Sequence, residues 1–122
     1  MKIAFSSVGT ELDNNIDSRF GRCSYFIVVD SDSGEFEAFE NPAASAGGGA
    51  GIQAAQSIVD KGANVVLTGN CGPNAFKVFD SASVDVITGV SGKISDALAA
   101  YKSGELTTAS GPSAKAHAGM RR

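Results

Sequence analysis

Gly69-Asn70-Cys71-Gly72-Pro73-Asn74 is the segment whose residue types most readily suggest chemistry. It follows an apolar run and opens a helical pattern. Backbone N–H groups at a helix N-terminus point outward without intrahelical partners and favour an anion. A thiol placed there would have its thiolate stabilised by the same dipole. Cys71 is therefore a candidate soft-metal ligand or a candidate nucleophile; the alternative is a tight Gly-Pro turn with Cys71 as a small filler. A second segment, Ala46-Gly47-Gly48-Gly49-Ala50-Gly51, lets backbone approach a ligand closely and can form an anion-binding nest of N–H groups. It is neither a Walker loop nor G-x-G-x-x-G, and it could equally be a plain connector. A third, Arg19-Phe20-Gly21-Arg22, carries two guanidinium groups that could clamp an anion or pair with acidic side chains. Cys23 reads as a buried thiol at the start of a strand, and His117 as an inert surface histidine.

Several chemistries fail on inventory. A Ser-His-Asp triad would have to use His117, the single histidine, in a polar tail. A cysteine phosphatase loop needs an arginine where Lys77 stands. The first strand, Lys2 to Ser7, carries no carboxylate for a two-metal nuclease. Cys23 and Cys71 form no C-x-x-C, which excludes a zinc finger, a thioredoxin motif and a disulfide scaffold.

The elements that must position these residues follow from the pattern. The 122 residues, 12.4 kDa, make one domain with 43% hydrophobic and 19% charged residues. No apolar run approaches the ~20 residues that span a bilayer, and the opening residues do not read as a signal peptide, so a cytoplasmic protein is expected. Residues 1–106 carry a net charge of −6 and residues 107–122 carry +3. An acidic body argues against nucleic acid as the main partner. Lys2–Phe5 reads as a first strand, followed by a loop to residue 23 that looks too polar for a core element. Tyr25–Asp30 is aromatic and β-branched; Glu35–Glu40 alternates with period two, as an edge strand does. Ile52, Ala55, Ile58 and Val59 have helical spacing, and Gly62 ends that helix. Ala63–Thr68 is a strand buried on both faces. Pro73 suits the first position of the next helix. Val84–Thr88 is a further strand, and Ser91 a candidate N-cap for a last helix from Ile94 to Tyr101. The expected order is β-β-β-α-β-α-β-α: a mixed five-stranded sheet with helices on both faces and right-handed parallel crossovers. Residues 1–106 form the domain and residues 107–122 read as a flexible tail. Ligands in such sheets bind beyond the carboxyl ends of the strands, where the three segments above can converge.

Arg19-Phe20-Gly21-Arg22, Asn41-Pro42-Ala43, Gly48-Gly49-Ala50-Gly51-Ile52 and Gly72-Pro73-Asn74-Ala75-Phe76, in this order, resemble the nitrogenase iron–molybdenum cofactor biosynthesis proteins of the NifX and NifB C-terminal-domain type. The resemblance covers residues 1–106 and is nearest to small stand-alone members. It implies a ribonuclease-H-like three-layer α/β fold. It also implies non-catalytic binding, carrying or insertion of a metal–sulfur cluster: iron–molybdenum, or a molybdenum, copper or iron sulfide such as the molybdenum–copper sulfide cluster of the orange-protein branch. Cluster donor and acceptor proteins would be the partners, and the chain a monomer or weak homodimer. Many relatives carry a histidine between the Asn-Pro and the glycines; here that stretch is Ala43-Ala44-Ser45-Ala46. Such clusters are anionic. The residues placed to hold one are Arg19, Arg22, Gly47, Gly48, Gly49, Gly51, Gly69, Asn70, Gly72 and Asn74, with Cys71 as metal ligand. Two rivals remain: a cofactor-free partner-binding domain using the 35–40 edge, and an enzyme with Cys71 as nucleophile.

Overall fold

Apolar runs build the central strands, an apolar–acidic alternation builds one edge strand, and three amphipathic stretches build the helices that cover them. The computed structural model describes residues 1–43 and 50–106. Along the chain run β1 (Lys2–Ser7), β2 (Tyr25–Asp30), β3 (Phe36–Glu40), α1 (Ala50–Asp60), β4 (Val65–Leu67), α2 (Pro73–Ser81), β5 (Asp85–Ile87) and α3 (Ile94–Lys102). The strands form one sheet in the order β3-β2-β1-β4-β5. β1 and β3 are antiparallel to β2, while β1–β4 and β4–β5 are parallel. This is the expected mixed five-stranded sheet in a ribonuclease-H-like α/β fold. The tail 107–122, His117 within it, and Gly47, Gly48 and Gly49 lie outside the described residues.

Period two divides the core. Ala4, Phe26, Val28, Val66 and Val86 face α1 and α2; Ile3, Phe5, Ile27, Val29, Val65, Leu67 and Ile87 face α3. Central strands covered on both sides must be apolar throughout, which is why β4 reads Val-Val-Leu. Among the described residues no helix is long and apolar enough to cross a membrane.

Four local expectations are corrected. α1 begins at Ala50 and buries Ala50, Ala54, Ala55 and Ile58. Ile52 therefore points outward and is 47% exposed. β1 continues through Ser6 and Ser7, both fully buried. Ser6 is tolerated there because its hydroxyl donates to the Asp17 carbonyl at 2.7 Å and lies 2.7 Å from the Thr68 hydroxyl. The loop after β1 is not wholly polar surface either: Ile16 and Phe20 are core residues. Lastly, the N-cap of α3 is Lys93 rather than Ser91, with no side-chain cap. Loop carbonyls do that work: Asn14 O accepts from Ile94 N–H at 3.0 Å and Leu12 O from Ser95 N–H at 2.8 Å.

Candidate functional site

The parallel pairing of β1 with β4 sets their carboxyl ends side by side, with Phe5 opposite Leu67. The chain leaving β1 loops out and returns through Asp17 and Ser18, and the chain leaving β4 meets it. Asn70 N–H donates to Ser18 O at 2.8 Å and Phe20 N–H donates to Asn70 O at 3.3 Å. Gly69 makes this crossing possible: a Cβ there would stand 2.6 Å from Ser18 Cα. Gly21 in turn lies against α1, where an added Cβ would stand 3.4 Å from Gly51 Cα, and Gly51 packs toward Ala75 of α2. The segments around Arg19, Gly51 and Asn70 thus come together as the sequence suggests. At Gly69, however, the missing side chain serves contact between backbones, whereas a Cβ at Gly51 would make ordinary contact with Ala75.

Phe20 anchors the arginine-bearing loop. Its ring sits 5.1 Å from that of Phe26 and 5.3 Å, edge-on, from that of Phe79. With Phe20 buried, Arg19 and Arg22 on either side are held at the surface. Arg19 is not an open clamp. Its Nε and Nη2 each lie 3.2 Å from the Asp17 carboxylate, which raises the guanidinium pKa through that hydrogen bond and its charge. Asp17 also accepts from Arg19 N–H at 2.9 Å. Pairing with an acidic neighbour, one of the two readings of Arg19, is the one found.

The start of α2 is the open part of the site. Gly72, Pro73 and Asn74 are all exposed. Gly72 is the N-cap with φ −73° and ψ 173°, and no side chain caps the helix. A Cβ on Gly72 would meet nothing within 4 Å among the described residues. Neither packing among those residues nor backbone conformation demands glycine here. No acidic residue occupies that turn.

Cys71 lies inside the fold. Its side chain is fully buried in the cluster that includes Ala75 and Phe79, and its Sγ donates to Gly72 O at 3.8 Å. Burial pushes the thiol up to about 12, opposite to the direction a helix N-terminus favours. Cys23 is buried, as expected, but precedes β2 by two residues; burial pushes it to about 12 as well. Its Sγ donates to Phe20 O at 3.3 Å. Among the described residues no three His, Cys, Asp or Glu side chains come together as a metal cage.

Two organising residues escaped the sequence reading. Asn41 is buried; its Nδ2 donates to Gly21 O at 3.1 Å and to Cys23 O at 2.9 Å, and its Oδ1 accepts from Ala43 N–H at 2.9 Å. It ties the exit of β3 to the arginine loop. The available signal was Asn-Pro, which reads first as a strand break. Asp17 is the other, legible only as an acid two residues before Arg19.

The sheet order, the flanking helices and a site at the carboxyl ends of β1 and β4 define a three-layer α/β binding domain. The chain belongs to the dinitrogenase iron-molybdenum cofactor family, whose model matches residues 1–104. It is similar to the apo form of the orange protein from Desulfovibrio gigas, with 35% identity, coverage of 91% of this chain and 94% of that one, and a TM-score of 0.89. A Thermotoga protein proposed to be NifB matches at 36% identity over 88% of this chain and 91% of its own, with a TM-score of 0.77. An uncharacterised protein of Methanocaldococcus jannaschii is 30% identical over 110 residues, 87% of this chain and 93% of the relative.

Proposed function

We propose that this chain is a non-catalytic carrier of an anionic metal–sulfur cluster, taken up at the N-terminus of α2. The observation that carries the reading is the open end at Gly72: exposed, uncapped, without an acid in its first turn and with free space where a side chain would stand. An anion is what such an end favours. Membership in the iron-molybdenum cofactor family and likeness to an apo orange protein support a cluster as that anion. An iron–molybdenum or a molybdenum, copper or iron sulfide carries its own sulfide ligands, so it does not need a cage of side chains.

The residues then have different roles. The first-turn amides beside Gly72 and Asn74 bind sulfide or oxo groups, and Asn70 adds a polar side chain at the rim. Arg22 and the already paired Arg19 balance charge. Gly51 and Gly69 keep the frame close-packed. Gly47, Gly48 and Gly49 are proposed as a second set of amides. Cys71 joins as a ligand only when the metal displaces its proton and the 69–73 loop exposes the sulfur, so its contribution grows with pH. A carrier bound mainly by amides can release its cargo to an acceptor protein, the expected partner.

Anaerobic purification followed by incubation with iron, molybdate, copper and sulfide tests this. The expected result is stoichiometric metal with sulfide-to-metal absorption, lost in Gly72→Asp and reduced in Cys71→Ser. A colourless, metal-free protein under every combination would overturn it.

A further inference from the structure

Among the described residues β3 lies at one margin of the sheet and pairs only with β2. It has five residues, against three in β5 at the opposite margin. Its hydrogen-bonding sense can be read from its ends. Asp30 N–H donates to Glu35 O at 2.8 Å, and Asn41 N–H donates to Ser24 O at 3.0 Å. Bonded and non-bonded pairs alternate in an antiparallel ladder. With Val28 opposite Glu37 and Phe26 opposite Phe39, the bonded positions are Glu35, Glu37, Phe39 and Asn41. The amides and carbonyls of Phe36, Ala38 and Glu40 therefore point away from β2, toward the open margin.

Edges are usually blunted by charged side chains, most often lysine, by proline or by a bulge. β3 has no lysine or proline, and its register with β2 is continuous. Its charged residues are all acidic, which guards the edge against another acidic strand and favours a basic one. Glu35, Glu37 and Glu40 are exposed, and Glu37 is shared with Lys61, whose ammonium also sits 4.8 Å from the Phe39 ring centre. Side chains alternate across the pleat. Phe36, 41% exposed, and Ala38 lie on the α3 face, and Glu35 and Glu37 lie on the other.

We propose that β3 is a docking edge for an extended segment of another protein in which basic and apolar residues alternate. The basic side chains would lie beside Glu35 and Glu37, the apolar ones beside Phe36 and Ala38, and three residues of β3 would supply the ladder. A second copy of this chain is the poorer occupant, because antiparallel pairing about Ala38 would bring two sets of glutamates to one seam. The surface is independent of what the site carries. It would nevertheless bring a partner close to that site, since β3 runs into Asn41, whose side chain holds Gly21 and Cys23.

The test titrates the ¹⁵N-labelled full chain with a capped nine-residue peptide of alternating lysine and valine. Hydrogen exchange at Phe36, Ala38 and Glu40 is expected to slow, while the amides bonded to β2 keep their existing protection. Ala38→Pro leaves the β2 bonds in place, because this N–H faces outward. It is expected to weaken the peptide about 10-fold, as loss of an edge hydrogen bond with a steric block implies. The double variant Glu35→Lys with Glu37→Lys keeps the backbone and is expected to weaken binding to a similar degree, so the test stands even if the proline variant fails to fold. A peptide alternating glutamate and valine should not bind. Protection appearing elsewhere, or unchanged affinity in the double variant, would overturn the proposal. So would self-association of the chain through this edge.

Discussion

Two helices in this molecule begin beside the same loop system, and their N-termini are finished in opposite ways. At α3, the carbonyls of Asn14 and Leu12 accept from Ile94 and Ser95, and Asp96 adds a negative charge to the first turn. At α2, glycine stands at the N-cap, proline at the next position, and neither a capping side chain nor an acid follows. The first end is satisfied from within the chain. Among the described residues no side chain caps the second, which an outside anion could complete. A helix end left uncapped forgoes about 1 kcal/mol. The contrast therefore locates binding capacity in a place where local stability has been left incomplete.

The largest expected effects come from breaking the frame that holds the α2 end in place. Asn41→Ala removes three hydrogen bonds and strands the Gly21 and Cys23 carbonyls. A loss of about 3 kcal/mol is expected in urea unfolding. Gly69→Ala and Gly92→Ala sharpen the comparison, because each precedes one of the two helices. At Gly69 a Cβ would press on Ser18 backbone, with an expected cost of about 2–3 kcal/mol. At Gly92 there is open space but φ is +87°, so the cost is the strain of a left-handed alanine, about 1 kcal/mol. Equal losses at the two positions would contradict this reading of the frame.

The thiols give a pH dependence with a definite sign. Both folded values are raised to about 12 from the ordinary thiol value of 9.0, because burial disfavours the thiolate. Protonated thiols then favour the folded state fully below pH 9, and this contribution is lost as pH rises from about 9 to about 12. Unfolding measured across that range should show a shallower decline for Cys71→Ala than for the parent chain. Parallel slopes would place the Cys71 thiol in a polar, ionisable setting.

Smaller effects separate stability from binding. Arg19→Gln removes the exposed partner of the buried Asp17 carboxylate, which keeps its bond from the Arg19 N–H, so a loss of about 1 kcal/mol is expected in urea unfolding. Gly72→Asp adds a favoured N-cap in open space, so stability should rise by a few tenths of a kcal/mol while the anion site is filled by the protein's own carboxylate. Lys93→Asp at the α3 cap should leave cargo binding unchanged, since those donors are already occupied.

Much of the frame could be read from the residues. Period-two alternation in Glu35–Glu40, the apolar run before Gly69 and the Pro73 signal point to the edge strand, a buried strand and the helix start, while the order of strands within the sheet comes from the structure. Composition alone did not reveal which glycines contact backbone and which face open space. Gly69 and Gly72 stand three residues apart, and only the crossing of Ser18 distinguishes them. Cys71 is a related case. Its place next to a helix start suggests a thiolate or a small filler, and the side chain is buried in the cluster that includes Ala75 and Phe79, where desolvation raises its pKa. Asn41 was missed because its role is long-range: it bonds to residues about twenty positions earlier in the chain.

The most direct test is to titrate the ¹⁵N-labelled protein anaerobically with tetrathiomolybdate, alone and with copper(I), and to follow both helix ends at once. The amides of Gly72, Asn74 and Ala75 are predicted to shift saturably, those of Lys93 to Asp96 to stay still, and Gly72→Asp to abolish the response. Shifts at α3 instead, or a Gly72→Asp variant that binds as the parent does, would contradict the assignment of the open helix end as the cluster site.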